Sequence, residues 1–184
     1  MRIEEFRENT LETERLYEGR VINLRRDKVQ LSNGHITQRD IVEHRGAICV
    51  APLDEDGKLL LVRQYRKPAE QALLELPAGS LEAGEDPLVC AHRELGEECG
   101  LIASEMTPIF QCYLAPGYSS EYMYGFVARG LKKAEILPEE DEILEIEKYT
   151  LEELLPMIGD GRIRDAKTIC GVLLLARMEL TAGK

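Results

Sequence analysis

The stretch from Gly79 to Leu101 constrains this chain more than any other, and it reads as a glycine loop feeding a short helix. Asp86 carries a side-chain acceptor suited to an N-cap, and Pro87 takes the first helical position, where a missing N–H is no loss. Gly100 supplies a left-handed residue to end the helix, so the spacing predicts a helix over about Pro87 to Cys99. At 100° per residue Leu88, Ala91, Leu95 and Cys99 share one apolar stripe, the expected buried face. Glu94 and Glu98 stand one turn apart on a neighbouring face, with Glu97 beside them and Glu85 arriving from the loop. Like charges at such spacing cost roughly 0.2–0.5 kcal/mol per pair, so a helix built only for stability would avoid them. A hard cation reverses the sign, because carboxylate oxygens are the ligands that Mg²⁺ or Mn²⁺ prefers. Arg93 is placed to pair with Glu97 four residues on and hold that carboxylate. The competing reading is a solvated acidic face, common in a chain with 34 acidic and 23 basic residues.

Gly79, Glu85, Arg93, Glu94, Leu95, Glu97, Glu98, Gly100 and Leu101 fill every fixed position of a pattern that resembles the Nudix hydrolase signature. The resemblance implies an α/β fold, a Nudix-type α/β/α sandwich with a mixed sheet, and metal-dependent hydrolysis of a nucleoside diphosphate linked to another group. Outside this box it covers most of residues 17–180 and narrows to the ADP-ribose pyrophosphatase branch. Gln64, Tyr65 and Arg66 followed by Leu74 to Gly79 look like that branch's approach to the box. Pro116, fifteen residues after Leu101 and inside Pro116 to Glu121, resembles its substrate loop, and Glu140 to Glu142 resembles its catalytic loop.

Breaking a pyrophosphate requires neutralised phosphate charge and an activated water, and divalent ions supply both. Glu94 and Glu98 are the first metal ligands expected, with Glu97 binding directly or through water and Glu85 a less certain member. By resemblance the Ala78 main-chain carbonyl is a further ligand, Glu140 the general base and Glu142 an extra ligand. A shift of one residue would exchange the roles of Glu139, Glu140 and Glu142. Glu97 and Arg93 are expected to belong with Glu140 in the catalytic group, and Ser80 sits at the mouth of the loop as a substrate contact. Arg66 is a candidate phosphate clamp, since a guanidinium fork matches two phosphate oxygens; a surface ion pair is the rival reading. Glu121 can accept from a ribose hydroxyl. By resemblance, Arg39 reaches across a dimer to the partner's nucleotide; on the residues alone it reads as a plain strand charge. Tyr17, Tyr65 and Tyr118 are candidates to stack adenine. His35, His44 and His92 share no ligand spacing and read as non-catalytic.

The length, 184 residues, suits one domain with a small appendage: an N-terminal β-sheet arm over 1–44 and a hydrolase domain over 45–184. Tryptophan is absent and only three phenylalanines occur, so aliphatic side chains must fill the core. A formal net charge of −11 repels nucleic acid and anionic membranes at long range, so neither is an expected partner. The five cysteines have no paired spacing and read as reduced, mostly buried thiols of a cytoplasmic protein. No apolar leader or run of transmembrane length is apparent.

Residues 1–15 read as a mobile lead-in. Short strands are expected at 20–24, 28–31 and 36–42, the last two joined by an Asn33-Gly34 turn, forming a small antiparallel sheet that packs on a second copy of the chain. The run 46–53 reads as a buried strand, with 58–66 pairing back on it. Strands follow at 106–115, 122–128 and 143–149, then a helix capped by Thr150 and a final helix over roughly 165–180. Ile169, Val172, Leu173 and Ala176 are its expected apolar face. The first functional reading is hydrolysis of ADP-ribose to AMP and ribose 5-phosphate by a homodimer using Mg²⁺. GDP-sugar or dinucleotide hydrolysis, or a domain that senses ADP-ribose without cleaving it, are the alternatives.

Overall fold

The computed structural model describes residues 6–134 and 143–182. The chain divides into two compact units, Met1–Gly46 with Tyr113–Tyr122, and Ala47–Cys112 with Met123–Lys184.

The first unit carries a three-stranded antiparallel sheet, β1 (Asn9–Glu18), β2 (Asn23–Gln30) and β3 (Ile36–Glu43), in that order. Residues 9–15 are therefore strand, not a lead-in, and 20–24 and 28–31 do not form two strands but fall mostly within the single strand β2. Every residue of β1 is exposed, which is why no hydrophobic period marks it. Its side chains instead meet β2 through polar pairs, Lys28 Nζ with Glu12 at 3.2 Å and Thr13 Oγ1 donating to the buried Asp27 at 2.9 Å. Gly34, at φ 85°, makes the β2–β3 turn as its Asn-Gly sequence predicts.

The second unit holds two sheets. One is mixed, in the order β7 (Ala78–Ser80), β4 (Ala47–Pro52), β9 (Tyr122–Lys133), β8 (Leu101–Tyr113), with β4 parallel to β9 and antiparallel to β7. The other is antiparallel, in the order β10 (Glu145–Thr150), β5 (Lys58–Arg66), β6 (Gln71–Glu75). So β5 does not pair back along β4; a single bridge, Leu53 with Leu59, links them. Both strands are too deeply buried to tolerate an open edge, and each takes the centre of its own sheet.

Side chains alternate across β4. Ile48 and Val50 point into the cluster formed with Ala91, Leu95 and Cys99 of α1 (Pro87–Cys99). Cys49 points the other way, into the surroundings of Lys167 and Cys170 on α3 (Ala166–Ala182). Helices thus cover opposite faces of the mixed sheet, the α/β/α arrangement expected. Between them in sequence, α2 (Leu151–Gly159) begins with the expected capping box, Thr150 Oγ1 accepting from Glu153 N–H and Glu153 reaching back to Thr150 N–H. On α3 the buried residues are Lys167, Thr168, Gly171, Val172 and Leu175, whereas Leu173 is 48% exposed. The apolar face is rotated from the expected one because two polar residues near the helix start, Lys167 and Thr168, occupy it.

Candidate active site

The site is built where α1 meets the short strand β7. Asp86 caps α1 by accepting from Leu88 N–H at 2.9 Å and Val89 N–H at 3.4 Å, and Gly100 closes it at φ 63° with its N–H on Gly96 O at 2.9 Å. Both ends fall at the predicted residues. The buried face does not match fully: Leu88 is 43% exposed, and Cys90 is buried in its place.

Glu98 is 7% exposed, and its Oε2 accepts the Ala78 N–H of β7 at 3.0 Å. Glu94, one turn earlier, lays its carboxylate against Gly79, so closely that a Cβ on Gly79 would overlap it. A glycine is needed here for proximity, since its backbone is an ordinary strand residue. Two carboxylates therefore converge on the Ala78–Gly79 segment.

Arg93 occupies the centre of the remaining acids. Its Nε and Nη2 reach the two oxygens of Glu85 at 3.0 and 3.1 Å, and its Nη1 reaches both Glu94 and Glu97 at 2.8 Å. Nη2 also approaches the Ser80 carbonyl at 3.4 Å. The expected Arg93–Glu97 pair is present, and two further carboxylates share the same cation. Hydrogen bonding to Arg93 holds the Glu85 carboxyl down to about 2, and the Glu85 contact likewise raises the Arg93 guanidinium above its ordinary value.

Among the described residues no three or more His, Cys, Asp or Glu side chains are already arranged around one point as a metal site. The donor chemistry nonetheless fits a hard divalent ion: Glu94, Glu98 and Glu97 offer only oxygen, and the Ala78 carbonyl belongs to the same strand segment. Glu139, Glu140 and Glu142 lie outside the described residues.

Arg66, at the end of β5, gives its Nε and Nη2 to the two oxygens of Glu75 at 2.9 Å each, leaving the end edge of the guanidinium outside that pair. Glu75 is 2% exposed and is also paired with Lys167. Burial pushes its carboxyl up, but Arg66 and Lys167 outweigh this and leave it below the usual range. Sequence reasoning passed over Glu75; its mark was a charge between Leu74 and Leu76, at the end of β6. Nothing in the sequence marks Lys167.

In the first unit, Arg39 pairs with Glu8 at 2.7 and 3.1 Å and borders a cavity of about 380 Å³ shared with Pro116 to Ser120. Ser119 Oγ accepts the Glu121 N–H at 3.1 Å, so these residues form one ordered turn. Tyr17, Tyr65 and Tyr118 are all more than half exposed. The His44 Nδ1 accepts from Gly46 N–H at 3.1 Å, a backbone role.

A glycine strand packed on an acid-bearing helix, within an α/β/α sandwich, defines the class: the chain belongs to the Nudix family, whose NUDIX domain model matches residues 42–171. Residues 8–42 match a second model, the nucleoside diphosphate sugar hydrolase N-terminal domain. The chain is 42% identical over 176 residues, 95% of each chain, to the methanol dehydrogenase activator of Bacillus methanolicus. It is 39% identical over 174 residues, 94% of each, to the ADP-ribose pyrophosphatase of Bacillus subtilis (strain 168). A solved structure described as an ADP compounds hydrolase superposes with a TM-score of 0.82 at 25% identity, covering 96% of each chain.

Proposed function

We propose that this protein hydrolyses the pyrophosphate bond of ADP-ribose, giving AMP and ribose 5-phosphate, with Mg²⁺ as the working ion and Mn²⁺ as a substitute. The observation that carries the proposal is the convergence of Glu94 and Glu98 on Ala78–Gly79, with Arg93 fixing the neighbouring acids. Relatedness along nearly the whole length to an ADP-ribose pyrophosphatase supports the choice of substrate.

In this reading Glu94, Glu98, Glu97, the Ala78 carbonyl and Glu142 hold the metal, which when bound neutralises phosphate charge and makes water more acidic. Glu140 accepts the proton of the attacking water as a P–O bond of the diphosphate breaks, with Glu139 and Glu142 the neighbours able to exchange roles with it. Arg93 keeps Glu85, Glu94 and Glu97 at fixed separations. Arg66 grips the diphosphate with the guanidinium edge that Glu75 leaves over, and Ser80 lines the approach. Arg39 and Glu121 contact the nucleotide and ribose. Residues 1–44 form a dimerisation arm and 45–184 the hydrolase domain of a homodimer. The five free thiols, three of them buried, suit the cytoplasm.

The test is a panel of ADP-ribose, GDP-mannose and dinucleotide diphosphates, scored for phosphate-bearing products with and without Mg²⁺. ADP-ribose is expected to show the highest kcat/KM. A preference for GDP-mannose or a dinucleotide would replace the substrate assigned here, and tight ADP-ribose binding without turnover would make the protein a sensor. Light scattering during size-exclusion chromatography checks the dimer.

A further inference from the structure

Behind the box lies a buried lysine to which the mechanism above gives no part. Lys167, near the start of α3, is 7% exposed; its Nζ donates to Glu75 and stands 3.1 Å from Asp165 Oδ2. Glu75 in turn accepts Nε and Nη2 of Arg66 at 2.9 Å each. Beside this, Thr168 Oγ1 accepts Leu76 N–H at 2.8 Å, while Thr168 N–H and Oγ1 both bond Asp165 Oδ2, at 3.0 and 2.6 Å. The first turn of α3 thus grips the two residues, Glu75 and Leu76, that lead into Pro77 and Ala78.

A buried ion pair is a poor way to gain stability, because desolvation consumes most of the Coulombic attraction and apolar residues of the same volume serve as well. What the arrangement does supply is direction. The Arg66 side chain is 37% exposed, so one edge is locked on a buried carboxylate while the rest reaches solvent. Glu98 acts electrostatically on the same guanidinium, which places it beside the acid end of the site. An arginine held in this way has already lost its rotamer freedom when a phosphate arrives, and binding costs less.

We propose that Lys167 is a positioning residue for diphosphate recognition: it fixes the Glu75 carboxylate, which holds the Arg66 guanidinium with its remaining edge toward the substrate. The inference rests on the reading of Arg66 as the diphosphate clamp. Lys167 touches no substrate atom and takes no part in the cleavage step.

The test is calorimetric binding of an ADP-ribose analogue with a methylene group between the two phosphorus atoms, in Mg²⁺, alongside steady-state kinetics on ADP-ribose. Lys167→Met is expected to weaken analogue binding about tenfold, to raise KM in step, and to leave kcat within about threefold. In an Arg66→Gln background the same substitution is expected to change affinity less than about twofold, because the group it acts through is gone. Wild-type affinity in Lys167→Met overturns the proposal, and so does an equal loss in both backgrounds, which a merely structural role would give. Should Lys167→Met fail to fold, Glu75→Gln/Lys167→Met removes the buried pair together, with Asp165 still held by Thr168 and Arg66 still open to solvent; it is expected to show the same weakening, and wild-type affinity in it is equally fatal. A wild-type protein that ignores the analogue overturns the ADP-ribose reading itself, a result distinct from all of these.

Discussion

Replacing Gly79 by alanine separates folding from chemistry in this protein. The backbone at Gly79 lies in β7 and needs no positive φ, so alanine is conformationally allowed. Such a change reduces the freedom of the unfolded chain and stabilises by about 0.4–1 kcal/mol where nothing clashes. Here something clashes: the new methyl would come within 3.0 Å of three atoms of the Glu94 carboxyl group, a separation real Cβ atoms do not show. The obstruction is the end of a flexible side chain, so the cheap response is for Glu94 to swing away by about 1.5 Å, out to ordinary contact, while the backbone stays in place. A displacement of that size at a reacting centre costs about 100-fold in rate. The expected outcome is a melting temperature within about 4 °C of wild type and a kcat for ADP-ribose reduced about 100-fold. Calorimetric melting and a coupled assay for AMP measure the two. Wild-type turnover in Gly79→Ala would refute the placement of Glu94 in the site, and a collapse in stability would refute the claim that only a side chain must move.

Glu98→Gln retains a carbonyl oxygen to accept Ala78 N–H, so melting should shift by only a few degrees, while ADP-ribose turnover falls by more than about 100-fold; near-normal turnover removes Glu98 from the ligands. The depressed Glu85 carboxyl stabilises the fold above the ordinary carboxylate range, and this contribution is lost as pH falls from about 4.5 toward about 2. Arg93→Gln should flatten that part of the acid denaturation profile, and an unchanged profile would deny the Arg93–Glu85 linkage. Burial pushes the thiols of Cys49, Cys90 and Cys99 up to about 12, so iodoacetamide under native conditions should modify the half-buried Cys112 and Cys170 first, as peptide mass mapping can read. Early labelling of Cys90 would mean that α1 opens.

Where local chemistry decides an element, the chain announced it. Asp86, Pro87 and Gly100 delimit α1, and Thr150 with Glu153 starts α2, because caps act within a few residues of themselves. Pairing between distant strands was less legible. The stretch 58–66 is a good strand beside a turn, yet its neighbours are Glu145 to Thr150 and Gln71 to Glu75, a choice made by burial on both faces. β1 escaped notice because it buries nothing and is held by cross-strand ion pairs. The grouping of Glu85, Glu94 and Glu97 around Arg93 follows the spacing of the box. The Glu75–Lys167 pair was not legible, since 92 residues separate its members and only the fold brings them together.

The guanidinium of Arg93 gives the acid cluster a counter-charge that is part of the chain. Three carboxylates can crowd onto one helix and its leading loop with a covalently attached cation already among them. A protein furnished in this way is expected to remain folded whatever the ion supply of its surroundings, unlike small metal-nucleated domains. Chelators should therefore silence it reversibly, and scarcity of divalent ions should be felt as a pause in turnover while the pool of intact protein persists.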